Sequence, residues 1–107
     1  MKTLEKLHKN GIFLNYNEIV RLCEKFRINE LSIFGSSIND NFTEDSDVHI
    51  LVSFNNNSNI SLFDIMDLES EFSKLVKRDV DIVEKESLKN PIREKNILTT
   101  REVIYAA

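Results

Sequence analysis

The alternation of apolar and polar positions is clearest between residues 47 and 54. Four apolar side chains occupy every second position there: Val48, Ile50, Val52 and Phe54. Successive side chains of a strand point to opposite faces, so this pattern predicts a strand with one buried face. The opposite face then carries Asp47, His49, Leu51 and Ser53.

Two further segments, 30–34 and 78–84, are short and rich in β-forming residues, and both are predicted to be strands. In the later one, Val80 and Ile82 share one face, while Asp79, Asp81 and Val83 share the other. The segment 103–105 is expected to be a final extended stretch. The polar residues 38–45 between the first two strands are expected to form a turn.

Apolar residues at three- and four-residue steps predict helices between the strands. Asn15, with Glu18 three positions later, begins a helix that ends near Arg27. Its expected buried stripe consists of Tyr16, Ile19, Cys23 and Phe26. Cys23 belongs to that stripe, so it is interpreted as a core thiol and not as a nucleophile.

Ser61 and Asp64 form a second capping pair, ahead of a helix that ends near Lys77. Its apolar stripe consists of Ile65, Leu68, Phe72 and Leu75. Asn90 and Pro91 begin a shorter helix that runs to about Leu98. The predicted order is helix, strand, strand, helix, strand, helix, which is typical of an α/β or α+β domain.

Length and composition narrow this picture. The 107 residues suit a single domain, 1–107, and 41% hydrophobic with 30% charged residues is an ordinary globular mix. A net charge of −4 disfavours bulk binding to nucleic acid. One cysteine, the lack of a signal peptide and the lack of an apolar run of about 20 residues predict a cytoplasmic protein that does not associate with membranes.

The candidate chemistry lies around the turn after the first predicted strand and the beginning of the second. Asp47 and His49 share a strand face and stand roughly 6.5–7 Å apart along the strand. If the 78–84 strand lies beside theirs, Asp81 projects from that same face. Carboxylates in this arrangement hold divalent cations that bind triphosphate oxygens. Gly35 allows a phosphate to approach the backbone closely, and the N–H groups of Ser36 and Ser37 can bind the anion.

These motifs together resemble the minimal nucleotidyltransferase (MNT) family of the polymerase-β-like superfamily. The matching stretches are 34–36, 46–52, 61–64 and 80–83, and the likeness extends from about Asn15 to Tyr105. The resemblance implies a small mixed β-sheet flanked by helices, with Mg²⁺ (or Mn²⁺) and ATP at the site. Many members are antitoxins of HEPN-type helical ribonuclease toxins, and some transfer AMP from ATP to a toxin tyrosine.

The resemblance assigns the phosphate-binding turn to Gly35 and Ser36, the first metal carboxylate to Asp47 and the third to Asp81. In the superfamily the third carboxylate helps to activate the attacking hydroxyl. The second aspartate of the family's DxD motif falls on His49. The chain also has Ser-Ile-Asn-Asp at 37–40, where the family usually carries arginine and glycine.

His49 leaves three interpretations open, because imidazole suits manganese, zinc or other transition ions better than magnesium. The site is crippled and the protein acts by binding its partner, or it turns over slowly with manganese or with Asp45 as a substitute ligand, or the histidine lies in a degenerate pocket. His8 has no such context and is expected at the surface, and five cations (Lys74, Lys77, Arg78, Lys85 and Lys89) are expected to form a solvated rim.

Two functions remain in competition. One is an enzyme that moves AMP, or another NMP, from a nucleoside triphosphate to a hydroxyl of a partner protein. The other is a catalytically impaired pseudo-nucleotidyltransferase that neutralises a HEPN toxin by binding it. Transfer to a small molecule such as an antibiotic is a weaker third candidate, because it normally requires an additional domain. A homo-oligomer is compatible with either leading function.

Overall fold

The computed structural model describes residues 2–35, 43, 46–56 and 59–107, without the side chains of residues 2–4 and 6. It contains four α-helices, a 3-10 turn and four strands within those residues. In chain order these are α1 (Lys2–Lys9), α2 (Tyr16–Lys25), β1 (Ile28–Phe34), β2 (Val48–Phe54), α3 (Leu62–Val76), β3 (Val80–Glu84), the 3-10 turn Lys85–Ser87, α4 (Pro91–Thr100) and β4 (Glu102–Ala106).

The strands form one mixed sheet in the order β3-β2-β1-β4. β1 runs antiparallel to both β2 and β4, whereas β2 and β3 are parallel. Parallel neighbours require a crossover connection, and α3 supplies it between β2 and β3. The expected mixed sheet with flanking helices is therefore confirmed, and the extended segment at 103–105 is part of an edge strand.

The main core lies on the sheet face that carries Val48, Ile50 and Val52. Helices α2 and α3 cover this face with buried residues that include Ile19, Leu22, Cys23, Leu68 and Phe72. A second, smaller cluster lies on the opposite face, where Ile97 of α4 joins Phe34 and Leu51. The predicted two-faced pattern of β2 is thus observed, with each face packed against different helices.

Helix ends follow the predicted capping residues. The Ser61 side chain accepts from the Asp64 N–H at 3.2 Å, and the Asp64 carboxylate accepts from the Ser61 N–H at 2.9 Å. Asn90 accepts from two N–H groups of the first turn of α4, at 3.0 and 3.1 Å. Asn15 caps α2 through the N–H of Asn17, at 2.8 Å.

Some expectations were wrong in detail. Tyr16 was expected to be buried but is 45% exposed, because it is the first residue of α2, where the helix does not yet pack against the sheet. Leu22 is buried instead, although the predicted stripe did not include it. The Glu18 carboxylate accepts from Arg21, at 3.1 Å, instead of closing a capping box. Helix α1 was not predicted, because only two leucines mark its apolar side; Leu7 is fully buried.

No helix among the described residues is both long enough and apolar enough to cross a bilayer.

Replacement of Ser61 by alanine removes one half of the capping box. We expect this substitution to lower the free energy of unfolding by about 1 kcal/mol, measured by urea denaturation. Ser70→Ala is the matched control, since Ser70 is exposed within the same helix and alanine is a better helix former. Equal losses in the two variants would contradict a capping role for Ser61.

Burial raises the pKa of the Cys23 thiol to about 12, with a smaller contribution from the Glu24 charge. We expect native protein to resist alkylation at pH 8 and the urea-unfolded chain to react readily, as quantified by mass spectrometry. The thiol has a lower pKa in the unfolded chain than in the folded protein. The stability that the buried, protonated thiol contributes is therefore complete below pH 9.0 and is lost as the pH rises towards about 12. Rapid labelling of the native protein would contradict this assignment.

Candidate functional site

The parallel register of β2 and β3 places His49 directly beside Asp81. In parallel strands, side chains in register project from the same face, so the predicted neighbour relation is observed. His49 Nδ1 lies 3.4 Å from Asp81 Oδ2. Both side chains reach solvent, at 34% and 54% exposure respectively, which means that a ligand could contact either of them.

The imidazole of His49 also packs against the end of β1. His49 is the cross-strand partner of Phe34, and the two ring centroids are 5.5 Å apart. Gly35 follows with φ +78°, a backbone conformation that strongly favours glycine. A Cβ at Gly35 would lie only 3.2 Å from His49 Cδ2. The missing side chain of Gly35 therefore makes room for the imidazole, as well as for the turn.

Asp47 stands one residue before β2 and is exposed. Before it, Thr43 N–H donates to Ser46 Oγ at 3.0 Å, and Ser46 N–H donates to the Thr43 carbonyl at 3.1 Å. Arg78 Nη1 donates to the same carbonyl at 3.3 Å. A guanidinium that precedes β3 thus helps to position Thr43, which in turn contacts the residue before Asp47.

The structure brings together two of the three expected metal ligands, His49 and Asp81. Within the described ranges, no three His, Cys, Asp or Glu side chains lie close enough to hold a metal ion, so the expected convergence of Asp47 with the other two is not formed here. Ser36, Ser37, Asp45 and the predicted turn at 38–45, apart from residue 43, lie outside the described residues. Their assignments stay predictions.

The donor atoms of Asp47, His49 and Asp81 fit a divalent cation. Two carboxylates supply the oxygen ligands that Mg²⁺ and Mn²⁺ accept, and the imidazole supplies a nitrogen that favours Mn²⁺ over Mg²⁺. The exposed carboxylates can rotate towards an ion, because neither is held in the sheet core.

Two depressions lined by described residues lie elsewhere. One runs between the end of α2 and α3 and is lined by residues that include Arg27, Asp64 and Lys74. Another lies beside α3 and includes Met66, Ser73 and Asp79. None of the predicted site residues lines them, and their mixed charges match no triphosphate. We place the candidate site around His49 and Asp81, where β2 and β3 begin, because the metal-binding side chains lie there.

Two cations of the predicted rim have structural partners that the sequence pattern did not reveal. Arg78 contacts Thr43, as described above, and Lys85 Nζ lies 3.7 Å from Glu30 Oε1, an oxygen that also pairs with Arg101. Lys74, Lys77 and Lys89 are exposed as expected. These partners are separated by 35 or more positions, so no local sequence signal could have found them.

The chain matches the family described as polymerase beta, nucleotidyltransferase, over residues 17–107. It belongs to the polymerase-β nucleotidyltransferase family. This nucleotidyltransferase is 38% identical to the protein adenylyltransferase MntA of Thermococcus cleftensis, over 98% of this chain and 97% of that protein. The family inferred from the sequence is therefore confirmed.

Solved structures of toxin–antitoxin complexes share its fold. One, determined with AMP-PNP, has a TM-score of 0.70 at 20% identity and covers 88% of this chain and 75% of that one. A second, a tri-AMPylated HEPN toxin of Shewanella oneidensis with its MNT antitoxin, has a TM-score of 0.62 at 16% identity, with 94% and 73% covered. At these identities the likeness establishes the fold.

Alanine substitutions at Gly35 and Gly11 can separate the cost of a clash with His49 from the cost of a side chain at positive φ. Both have positive φ, +78° and +81°, so alanine costs about 1–2 kcal/mol at either position. Only at Gly35 does the new methyl meet a ring; at Gly11 its nearest neighbour, Arg78 Nη2, is 3.8 Å away. We expect Gly35→Ala to destabilise the protein more than Gly11→Ala, as measured by urea denaturation.

A His49→Ala background should remove that difference between the two glycine variants. If the excess cost of Gly35→Ala persists in that background, the imidazole does not depend on the glycine for its place.

Proposed function

We propose that this nucleotidyltransferase transfers AMP from ATP to a hydroxyl of a partner protein. The single observation that carries the proposal is its end-to-end similarity to a protein adenylyltransferase. The acceptor hydroxyl would belong to the partner protein. We further propose that the whole of 1–107 acts as one domain and that it works in the cytoplasm.

The proposed partner is a HEPN-type helical toxin, which would make the chain an antitoxin. Support comes from the fold shared with antitoxins seen in complex with such toxins, one of them with the toxin tri-AMPylated. The net charge of −4 is consistent with a protein partner and disfavours bulk binding to nucleic acid. A tyrosine hydroxyl of the toxin is the acceptor that the family resemblance suggests.

In the proposed reaction, the acceptor oxygen attacks the α-phosphorus of ATP and forms a new P–O bond. The bond from that phosphorus to the bridging oxygen breaks, and pyrophosphate leaves with the electron pair. The acceptor proton passes to the Asp81 carboxylate, the role that the resemblance gives this residue. Gly35, Ser36 and Ser37 would bind the triphosphate through the backbone.

Asp47, His49 and Asp81 are the proposed ligands of a divalent cation, either Mg²⁺ or Mn²⁺. When bound there, the cation would neutralise the charge that builds up on the phosphate oxygens during transfer. The chain's own contribution would be to hold ATP and the acceptor oxygen in line where β2 and β3 begin.

A second function is favoured by one specific observation. His49 replaces a carboxylate ligand and lies across the Gly35 turn with its ring close to Asp81. A site that has lost an oxygen ligand in this way could have lost turnover and kept its partner. The chain would then be a catalytically impaired nucleotidyltransferase that neutralises the toxin by binding alone.

One labelling experiment decides between the two functions. The protein is incubated with a HEPN-type toxin and ATP labelled at the α-phosphate, with Mg²⁺ or Mn²⁺. We expect label on the toxin with the natural protein and more label with Mg²⁺ for His49→Asp, because the substitution restores an oxygen ligand. Asp67→Asn, an exposed acid on α3, is the control and should behave like the natural protein.

Label with the His49→Asp variant alone would identify a disabled site and support the binding function. A stable complex without label in any variant would contradict AMP transfer altogether.

A further inference from the structure

The orientation of the His49 ring carries information about how this site would bind a cation. Its Nδ1 edge faces Asp81 Oδ2 at 3.4 Å, and its Cδ2 edge faces Gly35. The ring is thus confined on both sides by neighbouring strands. In imidazole, Nε2 is separated from Nδ1 by Cε1, so Nε2 does not face the Asp81 carboxylate that lies beside Nδ1.

A carboxylate beside Nδ1 favours the tautomer that carries its proton there, and it leaves the lone pair on Nε2. Metal-binding histidines commonly have this arrangement, in which one ring nitrogen faces a carboxylate and the other holds the ion. The partner carboxylate fixes the orientation of the ring.

We propose that His49 binds a divalent transition-metal ion through Nε2 and that Asp81 positions the imidazole without itself contacting the ion. This proposal rests on the proposed function and reduces its three proposed protein ligands to two, His49 and Asp47. Asp47 would supply the carboxylate ligand, and the triphosphate oxygens would complete the coordination. The site would therefore prefer Mn²⁺ to Mg²⁺, since nitrogen ligands are poorly suited to magnesium.

The geometry explains why the three side chains do not form a preassembled cluster. If Asp81 is engaged with Nδ1, only two side chains remain to meet the ion directly, one of them ahead of β2. The pairing also depends on the most regular part of the structure, the β2–β3 register, and not on the residues of the preceding loop.

Nitrogen coordination can be measured without any transfer reaction. The chain contains two histidines, His8 and His49, and His8 is exposed on α1. We would record pulsed electron paramagnetic resonance spectra of Mn²⁺ with AMP-PNP and the full chain, with ¹⁵N-labelled histidine to identify the coupling. The expected result is a histidine–nitrogen coupling in the natural protein and in His8→Gln, and none in His49→Asp or His49→Ala.

The role of Asp81 is tested in the same samples. Asp81→Asn should retain the nitrogen coupling and weaken Mn²⁺ binding by about 10- to 100-fold, which is the usual effect of removing such a partner. Asp67→Asn should leave Mn²⁺ affinity unchanged. In competition, Mg²⁺ should displace Mn²⁺ poorly from the natural protein and more readily from His49→Asp.

No coupling in the natural protein, or a coupling that survives in His49→Ala, would overturn the proposal. An unchanged Mn²⁺ affinity in Asp81→Asn would overturn the positioning role. Because these measurements involve neither a toxin nor turnover, their failure would leave AMP transfer unaffected, and a failure of transfer would not alter the spectra.

Discussion

The parallel pairing of β2 with β3 is the constraint on which the rest of the site depends. It sets His49 against Asp81 by backbone hydrogen bonding, far more firmly than two exposed side chains could arrange between themselves. The apolar faces of the same strands are buried against α2 and α3, so a shift by one residue would expose the core. Folding and site assembly are therefore enforced by a single register.

The second constraint acts at the end of β1, where a left-handed glycine lies beside an aromatic ring. The imidazole of His49 occupies the space over this turn, supported by Phe34 and adjacent to Gly35. The ring fits there while the pairing of His49 with both neighbouring strands stays in register.

Most of the fold could be predicted because strand alternation and helix caps are local signals. The face assignments of 48–54 and 80–83, and the caps at Ser61 and Asn90, needed only neighbouring residues and were confirmed. Tyr16 was misassigned because periodicity cannot tell where a helix first meets the sheet. The strand pairing that joins His49 and Asp81 could be expected only conditionally, since register across 32 positions has no local signature.

The site was harder to predict than the fold, and the reason is geometric. Residue types and parity indicate that Asp47, His49 and Asp81 share a face, but they contain no information about side-chain rotation. Asp47 lies just outside the ladder, where backbone pairing no longer fixes its direction. The sequence likewise could not predict that Arg78 contacts Thr43 or that Lys85 contacts Glu30, because each contact joins distant elements through a long, flexible side chain.

Arg78 has a practical consequence for handling the protein. One of its terminal nitrogens holds the Thr43 carbonyl, and the other lies near Gly11, just after α1. A fusion that displaces α1 would therefore change the surroundings of the guanidinium that contacts Thr43, in the approach to Asp47. Ala107 donates to the Asn29 carbonyl at the far end of β1, so a purification tag or fluorophore attached there is separated from that approach by the length of the strand.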